Sequence, residues 1–300
     1  MPNRRYDELW IQKITPKVKS LKSYKTPLRY PGGKSRALTK IFQFAPNLTK
    51  IKQYREPFLG GGSVALEMSK RYPLMDIWVN DLYEPLYNFW CVLQHDVDEL
   101  YETLYDLKSV YCNQDAARCL FDAMKEAINN KDISDVERAV AFYVVNKCSF
   151  SGLTESSSFS AQASDSNFSI NGINKLIEYS HMIERWTITN LSYEELLTDD
   201  KDVFLYLDPP YDIKDNLYGK SGDMHKRFDH DDFAKQCDHH TSPMLISYNS
   251  DQIVKDRFKE WSVSEFAHTY TMRSVGCYNT EQASRKELVL LNYDLPSDSL

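Results

Sequence analysis

The sequence predicts an α/β protein: a mostly parallel sheet covered on both faces, with a helical subdomain inserted into it. Three observations point there. Short β-rich runs at 53–58, 74–80, 203–207, 243–248 and 286–292, with weaker ones near 187–190 and 262–268, mostly lie beside helical patterns. From about 84 to 148 the pattern is helical throughout, as in "DAARCLFDAMKEAI" and "VERAVAFYVV". Finally, the runs at 53–58 and 203–207 stop abruptly at a glycine turn and a proline pair.

The bulk numbers suit this class. At 300 residues, 42% hydrophobic and 26% charged, the chain has room for one large domain or a core with a smaller insert. No run of 18 apolar residues exists, so no membrane span is expected. "MPNRRYDELWIQK" lacks the apolar stretch of a signal peptide, so a cytoplasmic protein is expected. Cysteines 91, 112, 119, 148, 237 and 277 form no CxxC pair and read as reduced packing residues rather than a zinc site. The net charge of −7 is unevenly spread: residues 1–40 carry +9 and the remainder −16. A basic arm on an acidic body is either a solvated leader or an edge facing a polyanion.

Taken in order, residues 1–84 hold the arm and the first part of the sheet. Within them "LRYPGGKSRALTKIF" (28–42) places a tight turn at Gly32-Gly33, with Ser35 a candidate cap for the next helix. Lys34 then sits on a loop with its ammonium free, beside Tyr30. Position 28 is Leu, so no G-x-x-x-x-G-K-[ST] pattern exists and a kinase or ATPase is disfavoured. "REPFLGGGSVALEM" (55–68) reads as strand, glycine turn and helix start, with Gly60, Gly62 and Ala65 fitting G-x-G-x-x-G/A. Asp81, at the end of the next strand, is placed to accept from ribose hydroxyls, to cap the helix starting near Tyr83, or both. Together these argue for a cofactor bearing a nucleoside.

Residues 85–185 form the helical insert, and 186–300 the second part of the core. Ser-x-x-Glu capping boxes at Ser134/Glu137 and Ser192/Glu195 mark two helix starts. Nine serines among residues 149–169 predict a loop, hairpin or linker that packs no core. In "FLYLDPPYD" (204–212) two prolines end the strand and fix φ, so Asp208 and Tyr211 are presented on a stiff corner. Asp229, His230, Asp231 and Asp232, with His239 and His240, read as a capped, solvated helix rather than a metal site.

The motifs "RYPGGK", "EPFLGGGS" and "DPPY", in that order, resemble the Dam-like DNA adenine-N6 methyltransferases. The resemblance spans nearly the whole chain, including "NKCSFSGL" (146–153) and "SRKELVLLNYD" (284–294). It implies a Rossmann-like seven-stranded methyltransferase sheet, S-adenosylmethionine as methyl donor, double-stranded DNA as partner, no metal, and a monomer. It also implies that the insert is a target-recognition subdomain. By that resemblance Tyr30, Lys34, Asp81 and Asp208 contact the cofactor, and Gly60 and Gly62 line its turn. The adenine amino group is a poor nucleophile. Acceptors at the Asp208 carboxylate and the Pro209 carbonyl draw it toward tetrahedral geometry, while Tyr211 stacks on the extruded base. Expected DNA contacts are Phe150, Ser151, Glu155, Lys226, Arg227 and Arg273.

The chain departs from the family at one place. Enzymes that read GATC commonly carry Asn-Gly-Leu-x-Arg where this chain has Ser151-Gly152-Leu153-Thr154-Glu155, and a glutamate there suits a cytosine amino group. Rival readings are a DNA-binding protein whose catalysis has decayed, or the same reaction on RNA or on cytosine N4.

Overall fold

The computed structural model describes residues 26–150, 152, 157–211, 228–267 and 286–295. Among them seven strands form one sheet: β1 (Gln53–Glu56), β2 (Asp76–Asn80), β3 (Thr187–Thr189), β4 (Val203–Leu207), β5 (Met244–Asn249), β6 (Ser262–Ala267) and β7 (Lys286–Leu291). Their spatial order is β3-β2-β1-β4-β5-β7-β6. β3, β2, β1, β4 and β5 pair in parallel, and β7 runs antiparallel between β5 and β6. The chain reverses sheet direction between β1 and β2 on one side and β4 on the other, which is where an open α/β sheet leaves a crevice beyond its strand ends.

β4 shows why the central strands read as continuous apolar runs. All five of its residues are buried, because both faces of the sheet are covered. Alternate residues go to opposite sides: Phe204 and Tyr206 join one core, Leu205 and Leu207 the other. The second core is small, built on Phe233 of helix Asp229-capped His230–His239 and on Phe258 and Trp261.

The first core is large, because the helical stretch packs into it. α1 (Leu38–Gln43) and α2 (Ser63–Arg71) precede that stretch, and α3 (Glu84–His95), α4 (Val97–Val110), α5 (Gln114–Ala127) and α6 (Asp135–Cys148) compose most of it. α7 (Ala161–Ser166) and α8 (Ile170–Ile183) follow, then α9 (His230–His239) and α10 (Gln252–Arg257). α6 is buried on all sides from Arg138 to Cys148, with Phe142 and Tyr143 against Phe89 of α3. The same cluster includes Tyr54 of β1 and Val79 of β2, so the helical stretch and the sheet share one interior.

Two expectations need correction. The Ser134/Glu137 capping box is present, but Ser192 heads only a 3-10 turn, Tyr193–Leu196, and its side chain caps nothing. Its hydroxyl goes instead to the Glu194 carboxylate. The serine-rich stretch is also not simply loop. Ser160 caps α7, Ser169 caps α8, and the Ser164 hydroxyl donates to the Ala161 carbonyl at 2.8 Å. Ser149, Ser157 and Ser164 are buried along with Phe168. A hydroxyl that closes a local backbone bond loses no hydrogen bond on burial, so dense serine packs here where composition argued against it.

Candidate active site

The carboxyl ends of β1, β2 and β4 open onto a pocket lined by the residues of all three motifs, among them Tyr30, Lys34, Gly60, Asp81, Asp208 and Tyr211. Its floor is the turn between β1 and α2. Gly60 and Gly62 have φ of 50° and 68°, the left-handed region that favours glycine. Space is a second constraint: a Cβ would lie 2.8 Å from Tyr30 Cε1 at Gly60 and 2.8 Å from Trp90 Cζ2 at Gly62. Tyr30 therefore packs directly against this backbone, and Trp90 donates its indole N–H to the Gly60 carbonyl at 3.2 Å.

Asp81 braces this turn. Its Oδ2 accepts from the Gly60 N–H at 2.8 Å, and its Oδ1 from the Tyr83 N–H at 3.0 Å at the entrance to α3. Burial pushes its carboxyl up to about 6 against those two bonds. The carboxylate lines the pocket, and each oxygen can accept one more hydrogen bond.

The opposite wall is the proline corner. Lys34 is not free: it is 3% exposed, and its ammonium lies 2.8 and 2.7 Å from the two Asp208 oxygens. It also donates to the Gly32 carbonyl at 2.8 Å and to the Tyr211 hydroxyl at 2.7 Å. Burial alone lowers the Lys34 ammonium, but Asp208 and Glu287 outweigh it and hold it above its ordinary value. For Asp208, burial wins over Lys34 and pushes the carboxyl up to about 6. The Tyr211 ring stacks on Tyr248, with centroids 5.9 Å apart and planes at 28°. Ser35 does not cap α1, whose N-cap is Ala37; its hydroxyl meets that of Ser63 at 3.1 Å.

Two acids in this region were not singled out from sequence. Glu56, at the end of β1, is 2% exposed, accepts from the Tyr54 hydroxyl at 2.6 Å, and is pushed by burial up to about 8. Glu287 of β7 is fully buried; its Oε1 accepts from the Tyr211 hydroxyl at 2.5 Å and lies 3.4 Å from Lys34 Nζ. The available signal was a charged residue opening an apolar strand on the same face as Val289 and Leu291.

Of the expected DNA contacts, Phe150 is described and 53% exposed. Ser151, Glu155, Lys226, Arg227 and Arg273 lie outside the described residues. Asp229 caps α9 as expected, accepting from the Asp231 and Asp232 N–H groups.

A seven-stranded sheet with one antiparallel strand near its edge, a glycine turn after β1, an acid after β2 and a rigid Asp-Pro-Pro-Tyr corner after β4 define a Rossmann-like methyltransferase. Residues 30–274 match the D12 class N6 adenine-specific DNA methyltransferase family, and the chain belongs to it. It is 25% identical over 289 residues to the type II methyltransferase M.MjaIII of Methanocaldococcus jannaschii, covering 89% of this chain and 98% of that one. It is 27% identical over 206 residues to the DNA adenine methylase of Haemophilus influenzae, covering 66% and 68% of the two chains. A DNA N-6-adenine-methyltransferase of Escherichia phage P1 is 31% identical over 126 residues, 42% of this chain and 15% of that one. The protein is thus an adenine-specific DNA methyltransferase, with S-adenosylmethionine as methyl donor.

The pocket fits that donor. The left-handed turn at Gly60 and Gly62 borders it, the Asp81 carboxylate lines it with acceptor oxygens suited to ribose hydroxyls, and Asp208, held by Lys34, puts a carboxylate in its wall for an ammonium end.

Proposed function

We propose that the pocket holds the cofactor, and that Asp208, Pro209 and Tyr211 carry methyl transfer to the N6 of an adenine flipped out of double-stranded DNA. The observation that carries this reading is the position of Asp208. It sits on the proline-locked corner, 20% exposed, with its carboxylate fixed by Lys34 and directed at the pocket.

S-adenosylmethionine supplies an electrophilic methyl group on a sulfonium. The protein's part is to raise the nucleophilicity of the amino nitrogen and to hold it in line. The Asp208 oxygens and the Pro209 carbonyl accept hydrogen bonds from its two N–H groups, which frees the nitrogen lone pair from the ring. Lys34 keeps Asp208 ionised and immobile, so this stabilisation needs no rearrangement during reaction. After transfer the amine proton leaves to Asp208 or to water. Tyr211, with one ring face on Tyr248, closes the base pocket. Residues 85–185 serve as the target-recognition unit, with Phe150 presented at its edge, and the enzyme works as a monomer in the cytoplasm.

The test is transfer of labelled methyl to unmethylated DNA, with product nucleosides separated. Label is expected in N6-methyladenine at one recurring site. Asp208→Ala should lower transfer by on the order of 10²–10³-fold or more with the circular dichroism spectrum unchanged. Full activity in that variant overturns the assignment, and label in cytosine or RNA moves the target.

A further inference from the structure

The two carboxylates that flank Lys34 are not equivalent. Asp208 lines the pocket, whereas Glu287 stands behind Lys34 on β7, with none of its surface exposed. Asp208 alone already matches the Lys34 charge. Burying a second carboxylate there is costly, and an apolar residue facing as Val289 and Leu291 do would avoid that cost. Its hydrogen bond from Tyr211 does not require a charge either, since a neutral amide oxygen can also accept it. What the position uniquely supplies is charge: two carboxylates around one ammonium leave this wall with an excess of negative charge in a dry setting. Glu56, the next acid on this face, is pushed up to about 8 and adds none at neutral pH.

The reaction changes the charge of the ligand by one. The donor enters with a positive sulfonium and leaves as S-adenosylhomocysteine, whose sulfur is a neutral thioether. We propose that Glu287 is a specificity-determining residue that biases the pocket toward the sulfonium ligand over the thioether product, so that transfer itself weakens the grip on the cofactor. The inference rests on the assignment of this pocket to the cofactor. Glu287 acts through its charge, 3.4 Å from Lys34 Nζ, so it is a positioning residue and touches no reacting atom.

The experiment is isothermal titration of the full chain with S-adenosylmethionine and with S-adenosylhomocysteine, without DNA. It compares the ratio of the two dissociation constants within each variant, so that loss of folded protein cancels. Glu287→Gln keeps an acceptor for Tyr211 and removes the charge. It should shift the ratio about tenfold toward the thioether, as expected for a charge several ångströms away in a partly shielded site. Glu287→Asp, which keeps the charge, and Tyr211→Phe, which removes only the hydroxyl, should leave the ratio within about threefold of wild type. Equal weakening of both ligands in Glu287→Gln overturns the inference, as does a tenfold ratio change in Tyr211→Phe. The underlying pocket assignment fails separately, if Asp81→Ala leaves both affinities untouched.

Discussion

Arg29 and Asn146 are joined twice across 117 residues of chain: the Arg29 N–H donates to Asn146 Oδ1 at 2.9 Å, and Asn146 Nδ2 donates to the Arg29 carbonyl at 2.7 Å. The same amide donates to the Gly152 carbonyl at 2.8 Å, while the Arg29 guanidinium reaches the carbonyls of Ser149 at 2.6 Å and Phe150 at 3.0 Å. Gly152 (φ 73°) is pressed so closely that a Cβ there would lie 2.4 Å from the Arg29 oxygen. The loop that carries Lys34 is therefore welded to the segment that presents Phe150. Asn146→Ala leaves buried backbone groups unsatisfied, at roughly 1–3 kcal/mol for each. The melting temperature should fall by about 5–10 °C in differential scanning calorimetry. A fall under about 2 °C would show that the amide is not the weld.

Glu56 gives a pH prediction of defined sign. Its native value of about 8 lies above the ordinary 4.5, so between those pH values the folded protein holds a proton that the unfolded chain has released. Stability therefore falls as pH rises from about 4.5 toward 8. Asp81 and Asp208, each raised to about 6, act in the same sense up to that pH. Glu56→Gln mimics the protonated acid and keeps an acceptor for Tyr54. In urea unfolding at pH 6 and pH 8.5, wild type should lose on the order of a few kcal/mol between the two, and the variant clearly less. Equal losses would mean that Glu56 is ionised throughout.

What the sequence made legible here was local. The end of β4 shows because a proline pair stops an apolar run, and the end of β1 because a glycine turn follows it, where left-handed φ excludes other residues. Even the short β3 and β6 are marked by their own residues. The charge network was not legible. Lys34 and Asp208 stand 174 residues apart, and nothing near Lys34 announces a buried partner, so a loop lysine reads as free. Glu287 looks like an ordinary strand-opening charge until β7 is placed beside β5, where it faces the same side as Asp208. The serine stretch failed for a related reason: composition reports average polarity, whereas burial depends on which backbone group each hydroxyl meets.

At Gly62 the fit to Trp90 sets the prediction. Alanine there faces two penalties, a positive φ and a Cβ 2.8 Å from an indole that is fully buried and tied to the Gly60 carbonyl. The strain amounts to about 1–3 kcal/mol and is relieved only by moving the turn or the ring. Either movement disturbs the cradle. Gly62→Ala should therefore weaken S-adenosylhomocysteine binding at least about tenfold by calorimetry, while the sheet signal in circular dichroism persists. Unchanged affinity would mean that the ligand does not rest on this turn.

The basic arm makes the last prediction. Of the eleven Lys and Arg in residues 1–40, two are already committed inside the protein, Lys34 to Asp208 and Arg29 to the Ser149 and Phe150 carbonyls. Lys34 is buried and not available for phosphate. Seven others fall within residues 1–25, which lie outside the described residues. Residues 41–300 carry a net −16 and repel a polyanion at long range, so attraction to DNA has to come from few places. Each phosphate neutralised releases counterion and steepens the plot of log affinity against log salt by about 0.9. Removing residues 1–25 should flatten that plot by about 2–5 and weaken binding most at low salt, measured by fluorescence anisotropy on one duplex. An unchanged slope would mean that the arm makes no phosphate contact. The DNA would then be held by cations beyond residue 25, against the acidic charge of the body.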